Sequence, residues 1–161
     1  MATTQITADP GGQAITITRD FDAPPELLFR ANTIPELLSR WLGPRRLVTE
    51  IDTYELRDGG QWRFVHRDTD GTPYGFRGVF HGTPSLDGIV RTFEFEGVPG
   101  HVSLETLTFE DLGNGRTRLL VNAVHQSGQA RDAMIAAGME SGVVESYERL
   151  DEVLASMSVS H

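Results

Sequence analysis

Five side chains on apolar faces could do chemistry. His66 continues the alternating face of Trp62 and Phe64, and His125 continues the face of Thr117, Leu119, Val121 and Ala123. Glu105 shares parity with Leu107 and Phe109, Arg91 shares it with Phe93 and Phe95, and Tyr147 falls on a helical apolar stripe. A carboxylate and imidazoles at the mouth of a pocket can orient a polar ligand group or move a proton. The Tyr147 hydroxyl can serve a ligand or simply be packed. Arg91 can pair with Glu105 or with an acidic ligand, unless a bulge turns it outward. Each strand-end residue also has the plainer fate of contact with solvent or backbone.

Other chemistries find little footing. The histidines at 66, 81, 101, 125 and 161 have no His-x-His or His-Glu-x-x-His spacing, so no metal site is expected. Ser39, Ser103, Ser127, Ser141 and Ser146 stand in no Gly-x-Ser-x-Gly context. The Gly-Gly pairs at 11–12 and 59–60 read as turns. All 14 basic residues are arginine. Schiff-base catalysis and a phosphate loop ending in lysine are therefore excluded. The bias also suggests a GC-rich, bacterial source. With no cysteine, disulfides and thiol catalysis are out, and no cofactor is called for.

The 161 residues fit one domain, and 39% hydrophobic content suffices for a core. A net charge of −9 repels phosphate backbones and anionic lipid, so neither nucleic acid nor membrane is expected as partner. The start, Met1-Ala-Thr-Thr-Gln-Ile-Thr, has neither a basic cluster nor an apolar run, and no stretch reaches membrane-spanning length. A cytoplasmic location is the expectation.

These side chains need a scaffold. Residues 1–13 read as a flexible leader and 14–157 as a single domain. Ala14 to Phe21 alternates as a first strand, and two short helices follow. The first starts near Asp22-Ala-Pro-Pro-Glu, with Asp22 or Ala23 as cap, and the second runs from Ile34 to Trp41. Strands are expected over Leu47–Leu56, Gln61–His66, Tyr74–Gly82, Ile89–Glu96, Val102–Glu110 and Thr117–Val124. Short turns between neighbours make the pairing antiparallel. From Ala130 to Met157 one helical pattern carries Met139, Val143, Tyr147, Leu150, Leu154 and Met157 at spacings of four and three. Gly138 and Gly142 suggest a break or a close contact near its start.

A twisted antiparallel sheet wrapped on one long helix is the compact solution, in the α+β class with about seven strands. Trp62, Phe64, Phe76, Phe80, Phe93 and Phe95 then face Val143, Tyr147 and Leu150. The rings are ordinary core or the walls of a cavity. Glycines at 78 and 82, on the face of Phe80, favour unfilled volume.

Several segments resemble a known family in order and spacing. They are Arg19-Asp-Phe-Asp-Ala-Pro-Pro-Glu-Leu-Leu-Phe29, Trp41-Leu-Gly-Pro44, Arg57-Asp-Gly-Gly-Gln-Trp-Arg-Phe64, Gly78-Val-Phe80, Gly115-Arg-Thr-Arg-Leu119, Gly138-Met-Glu-Ser-Gly142 and Glu145-Ser-Tyr-Glu-Arg-Leu150. Over about residues 14–156 the chain resembles the START/Bet v-like helix-grip superfamily (SRPBCC). Within it, the chain looks like the branch named after the activator of heat-shock-protein ATPase (AHSA-like). The resemblance implies a cavity for a hydrophobic small molecule between sheet and helix. It leaves two alternatives: a polyketide cyclase or dehydratase using the same cavity, or a protein-interaction module. The last would be co-chaperone-like or a homodimer through Leu38, Trp41 and Leu42.

Overall fold

A computed structural model describes residues 2–159. Eight antiparallel strands form one sheet in the order β1-β2-β8-β7-β6-β5-β4-β3. The strands are β1 (Gln5–Thr7), β2 (Ala14–Phe21), β3 (Val48–Tyr54), β4 (Gln61–Arg67), β5 (Pro73–Val79), β6 (Ile89–Phe95), β7 (Val102–Gly113) and β8 (Arg116–Val124). Four helices accompany them: α1 (Pro25–Thr33), α2 (Pro35–Trp41), α3 (Gly128–Ala136) and α4 (Met139–Val159).

The added strand is β1, within the segment expected as a loose leader. Thr16, Ile17 and Thr18 of β2 pair with Thr7, Ile6 and Gln5, and half-buried Ile6 packs against the core. Three residues are too few for an alternation pattern to be read.

Two adjoining prolines set the entry to α1. Pro24 takes the cap position with extended backbone and Pro25 begins the helix. The cap therefore falls on neither Asp22 nor Ala23, and no side chain closes it. Ile34 ends α1 and starts α2 at once. Pro35 explains this, because a proline disfavours helical backbone in the residue before it. The pair is then tied down: Trp41 Nε1 donates to the Ala31 carbonyl at 2.9 Å, and the Tyr54 hydroxyl donates to the Asn32 carbonyl at 2.8 Å.

The expected continuous helix from Ala130 is two helices. Ser127 caps α3 by accepting from Ala130 N at 3.0 Å, and the chain turns at Gly138, where φ is +86°. That angle costs glycine nothing and other residues about 1 kcal/mol. Beyond it, α4 lies on the concave face. Arg19 holds it with a two-pronged bond to Asp151 (2.8 and 2.7 Å) while stacking on Phe21. Arg149 donates to the carbonyls of Arg40 and Gly43. Phe21, Leu28, Ala31, Leu119, Leu150, Val153 and Leu154 close a dense core around the carboxy-terminal half of α4.

Candidate functional site

The register of the sheet puts one set of side chains on the concave face. Arg91 pairs with Glu105 across β6 and β7, Phe93 with Ser103, and Glu105 with Ala123 of β8. On the other flank Phe64 lies between Ile51 and Phe76. A cavity of about 440 Å³ separates this face from the amino-terminal half of α4, with α3 alongside.

Of the residues singled out in the sequence, Trp62, Phe64, His66, Phe76, Phe93 and Phe95 wall the cavity on the sheet side. Glu105 and His125 join them, and Val143 and Tyr147 face them from α4. Phe80 and Leu150 do not line it. Phe80 follows the end of β5, is fully buried and sits edge-on against Tyr54 at 5.5 Å. Leu150 lies almost a turn beyond Tyr147, where the core is already closed.

The space also does not come from the glycines at 78 and 82. The Trp62 indole lies over Gly78, so a Cβ there would fall 2.6 Å from the ring and 1.9 Å from the Thr92 carbonyl. Gly78 makes room for a ring rather than for a ligand. Gly82 lies in the turn after Phe80, with open space where its Cβ would be. The opening arises instead where α4 is slender, at Gly142, Val143 and Ser146.

The rings form two adjoining rows across the sheet, Trp62 with Phe93 at 5.7 Å and Phe64 with Phe76 and Phe95. Trp62 and Phe64 stack at 5.5 Å, Phe64 and Phe76 at 5.1 Å, and Phe76 contacts Phe93 at 5.4 Å and Phe95 at 5.1 Å. Each end carries polar groups. At one, Arg91 Nε donates to Glu105 Oε1 at 2.9 Å, and the guanidinium lies 5.7 Å from the Trp62 ring centre. Arg91 therefore faces inward. Burial works against its charge, but Glu105 and the neighbouring tyrosine hydroxyls hold its pKa above the ordinary value. Burial drives the Tyr147 hydroxyl far above the usual phenol range, and Glu105 adds to this against Arg91 and Arg19. The hydroxyl stays protonated and has no hydrogen-bond partner among the described residues.

At the other end stands His66. The Thr49 hydroxyl donates its one hydrogen to the Leu42 carbonyl at 2.7 Å and meets His66 Nδ1 at 2.8 Å. It must accept at the second contact, so Nδ1 carries the ring proton and Nε2 keeps a lone pair. Burial, helped by the Arg149 charge, lowers the His66 pKa to about 4. The imidazole is neutral near pH 7. His125 lies among the wall residues with Nδ1 buried and unpartnered, as is Trp62 Nε1.

Sequence reading missed Tyr54. Strict alternation from Thr49 and Ile51 puts Thr53 inside, but the register slips between Ile51 and Thr53 and carries Tyr54 to the concave face. Nothing short of the bulge itself could signal this. Ile15, Ile17 and Met134 extend the apolar wall, as do Leu38, Trp41 and Leu42; Leu38 and Trp41 are buried there rather than exposed as the contact surface expected from the sequence. Among the described residues no three His, Asp or Glu side chains converge as a metal site, and no helix is long and apolar enough to cross a membrane. His161 lies outside the described residues.

A curved antiparallel sheet gripping a carboxy-terminal helix defines a helix-grip protein of the SRPBCC type. The model of the "Activator of Hsp90 ATPase homolog 1-like protein" family, AHSA1, matches residues 22–155, and the chain belongs to that family. A crystal structure from Rhodobacter sphaeroides is 28% identical, with TM-score 0.87 over 96% of this chain and 99% of that one. A solution structure from Arthrobacter aurescens is 26% identical, with TM-score 0.86 over 94% and 91%. The AHSA1 protein of Silicibacter pomeroyi shares the fold at 21% identity and TM-score 0.71, over 92% and 99%. No curated protein sequence matches the chain.

Proposed function

We propose that this protein binds a hydrophobic small molecule in the cavity between its sheet and α4. The observation that carries this reading is the size of the space, about 440 Å³, behind a wall of aromatic rings. A dry void that large would cost roughly 10 kcal/mol at ~24 cal/mol per Å³. That rivals the whole stability of a typical domain, about 5–15 kcal/mol. The space is partly open to solvent, so it holds water unless a ligand displaces it. Water suits the Arg91–Glu105 end, and an apolar molecule suits the rings.

The test is thermal unfolding with and without biphenyl as an apolar probe. Binding raises Tm in proportion to ligand excess. Val143→Trp, which fills the cavity from the helix side, abolishes the rise while leaving the fold intact. An unchanged rise in that variant, or none in the unaltered protein with biphenyl or larger hydrocarbons, rejects the reading.

A further inference from the structure

Resting on that reading, we infer that the cavity selects an elongated aromatic compound bearing a hydroxyl group at each end. Three features of the wall lead there.

The first is the polarity of the two ends. Arg91 reaches Glu105 through Nε alone, leaving guanidinium N–H donors and the second carboxylate oxygen of Glu105 unclaimed. Neither is sealed off by protein atoms, and the unpartnered Tyr147 hydroxyl stands by. This end offers both a donor and an acceptor. A hydroxyl, which donates once and accepts as well, answers both, whereas a carboxylate would meet Glu105 as a like charge. The far end offers an acceptor. His66 Nδ1–H is committed to Thr49, and Nε2 is neither partnered nor enclosed by protein atoms. Only a donor entering the cavity satisfies it, water in the empty protein and a ligand hydroxyl in the loaded one.

The second is spacing. Trp62, beneath Arg91, and His66 are four residues apart on β4. Ring centres step 5.5 Å from Trp62 to Phe64 and 4.9 Å from Phe64 to His66, and the Arg91 guanidinium lies 5.7 Å from the Trp62 centre, so two stacked rings separate the polar ends, which lie at most about 16 Å apart. A single ring cannot reach both.

The third is the surface between them. Trp62, Phe64 and Phe76 stack side by side on the sheet, and side chains stand roughly perpendicular to a sheet. Their edges, which carry the positive part of the ring quadrupole, face the cavity. The complement is the negative face of a flat aromatic system lying across them.

The experiment uses three compounds of one shape: biphenyl, 4-hydroxybiphenyl and 4,4′-dihydroxybiphenyl. Affinity for the full-length protein is measured by titration calorimetry. Each hydroxyl is expected to tighten binding by about three- to tenfold, the range of a net hydrogen bond. In His66→Phe the affinity ratio between 4,4′-dihydroxybiphenyl and 4-hydroxybiphenyl falls to one, whatever the variant does to biphenyl itself. Because the ligand series needs no variant, loss of fold in His66→Phe would not remove the test. Equal affinities along the series overturn the inference and leave the hydrophobic-cavity reading standing. Failure of all three to bind overturns both. A second step that survives in His66→Phe removes His66 from the assignment and with it the two-ended ligand.

Discussion

The two halves of α4 press on the same sheet with opposite results. From Leu150 onward, Leu150, Val153, Leu154 and Met157 fill the concavity and exclude water. From Met139 to Ser146, one turn carries Gly142, Val143 and Ser146 where the other carries leucines, and a cavity remains. The sheet opposite changes in step. Opposite the closed half it presents Phe21, Ile89 and Leu119 with Arg19 already committed to Asp151, and opposite the open half it turns Arg91, Glu105 and His66 toward the cavity. One half stores stability and the other forgoes it to keep space and polar groups available.

The largest effect tests the closed half. Leu150→Ala should destabilise by about 2–5 kcal/mol, since the deleted methyl groups leave a hole in packed surroundings. Val143→Ala should cost about 1 kcal/mol or less, because Val143 already borders open space. Urea midpoints of the two variants measure the contrast. Equal losses would mean that the halves do not differ in packing.

Next comes the pH response of the open half. The unfolded chain protonates His66 near 6.5, while the folded protein does so near 4. Between these values the unfolded state binds the extra proton, so stability falls as pH drops from about 6.5 and levels off below about 4. The loss attributable to His66 is up to about 3 kcal/mol. Carboxylates titrate in part of the same window, so the relevant quantity is the unaltered protein minus His66→Phe. A difference flat with pH would place His66 in contact with bulk water.

A smaller effect is expected from the inner ion pair. Arg91→Met leaves Glu105 facing the cavity without its cation. Removal of one partner from a dry pair costs about 3–5 kcal/mol. Water in the cavity can solvate the carboxylate here, so roughly 1–3 kcal/mol is expected. Arg91→Met combined with Glu105→Leu should recover most of that loss. If the double variant is worse than the single one, the pair contributes more to stability than to ligand recognition.

How legible this was from the residues depended on which half carried them. On β4 and β6 the alternation of Trp62, Phe64 and His66, and of Arg91, Phe93 and Phe95, is unbroken, so parity alone places them correctly. Tyr54 was invisible because the register slip on β3 has no marker in residue type. Phe80 and Leu150 obey the same periodicities as the lining residues. Only the third dimension shows that the interior closes before reaching them. Gly78 misled for a related reason: a missing side chain is filled by whatever ring stands beside it, here Trp62 on the neighbouring strand. Periodicity reports which face a residue is on and says nothing of how full that face is.

The smallest predicted effect has the opposite sign to the rest. Gly138 and Gly142 lie four residues apart and differ in kind. Gly138 has φ +86°, so Gly138→Ala should cost about 1 kcal/mol in backbone strain. Gly142 lies inside α4, and a methyl group there would meet nothing within 4 Å. Alanine is favoured over glycine in a helix by up to ~1 kcal/mol, less near the first turn. Gly142→Ala should therefore stabilise by roughly 0.5 kcal/mol, a rise of about 1–2 °C in Tm for a chain of this size. The same methyl group projects into the cavity and should weaken 4,4′-dihydroxybiphenyl binding by a few-fold. Stability and uptake moving in opposite directions is what a deliberately unfilled half requires. A destabilised Gly142→Ala variant, or one that binds more tightly, would instead make the gap an accident of packing and remove the distinction between the two halves of α4.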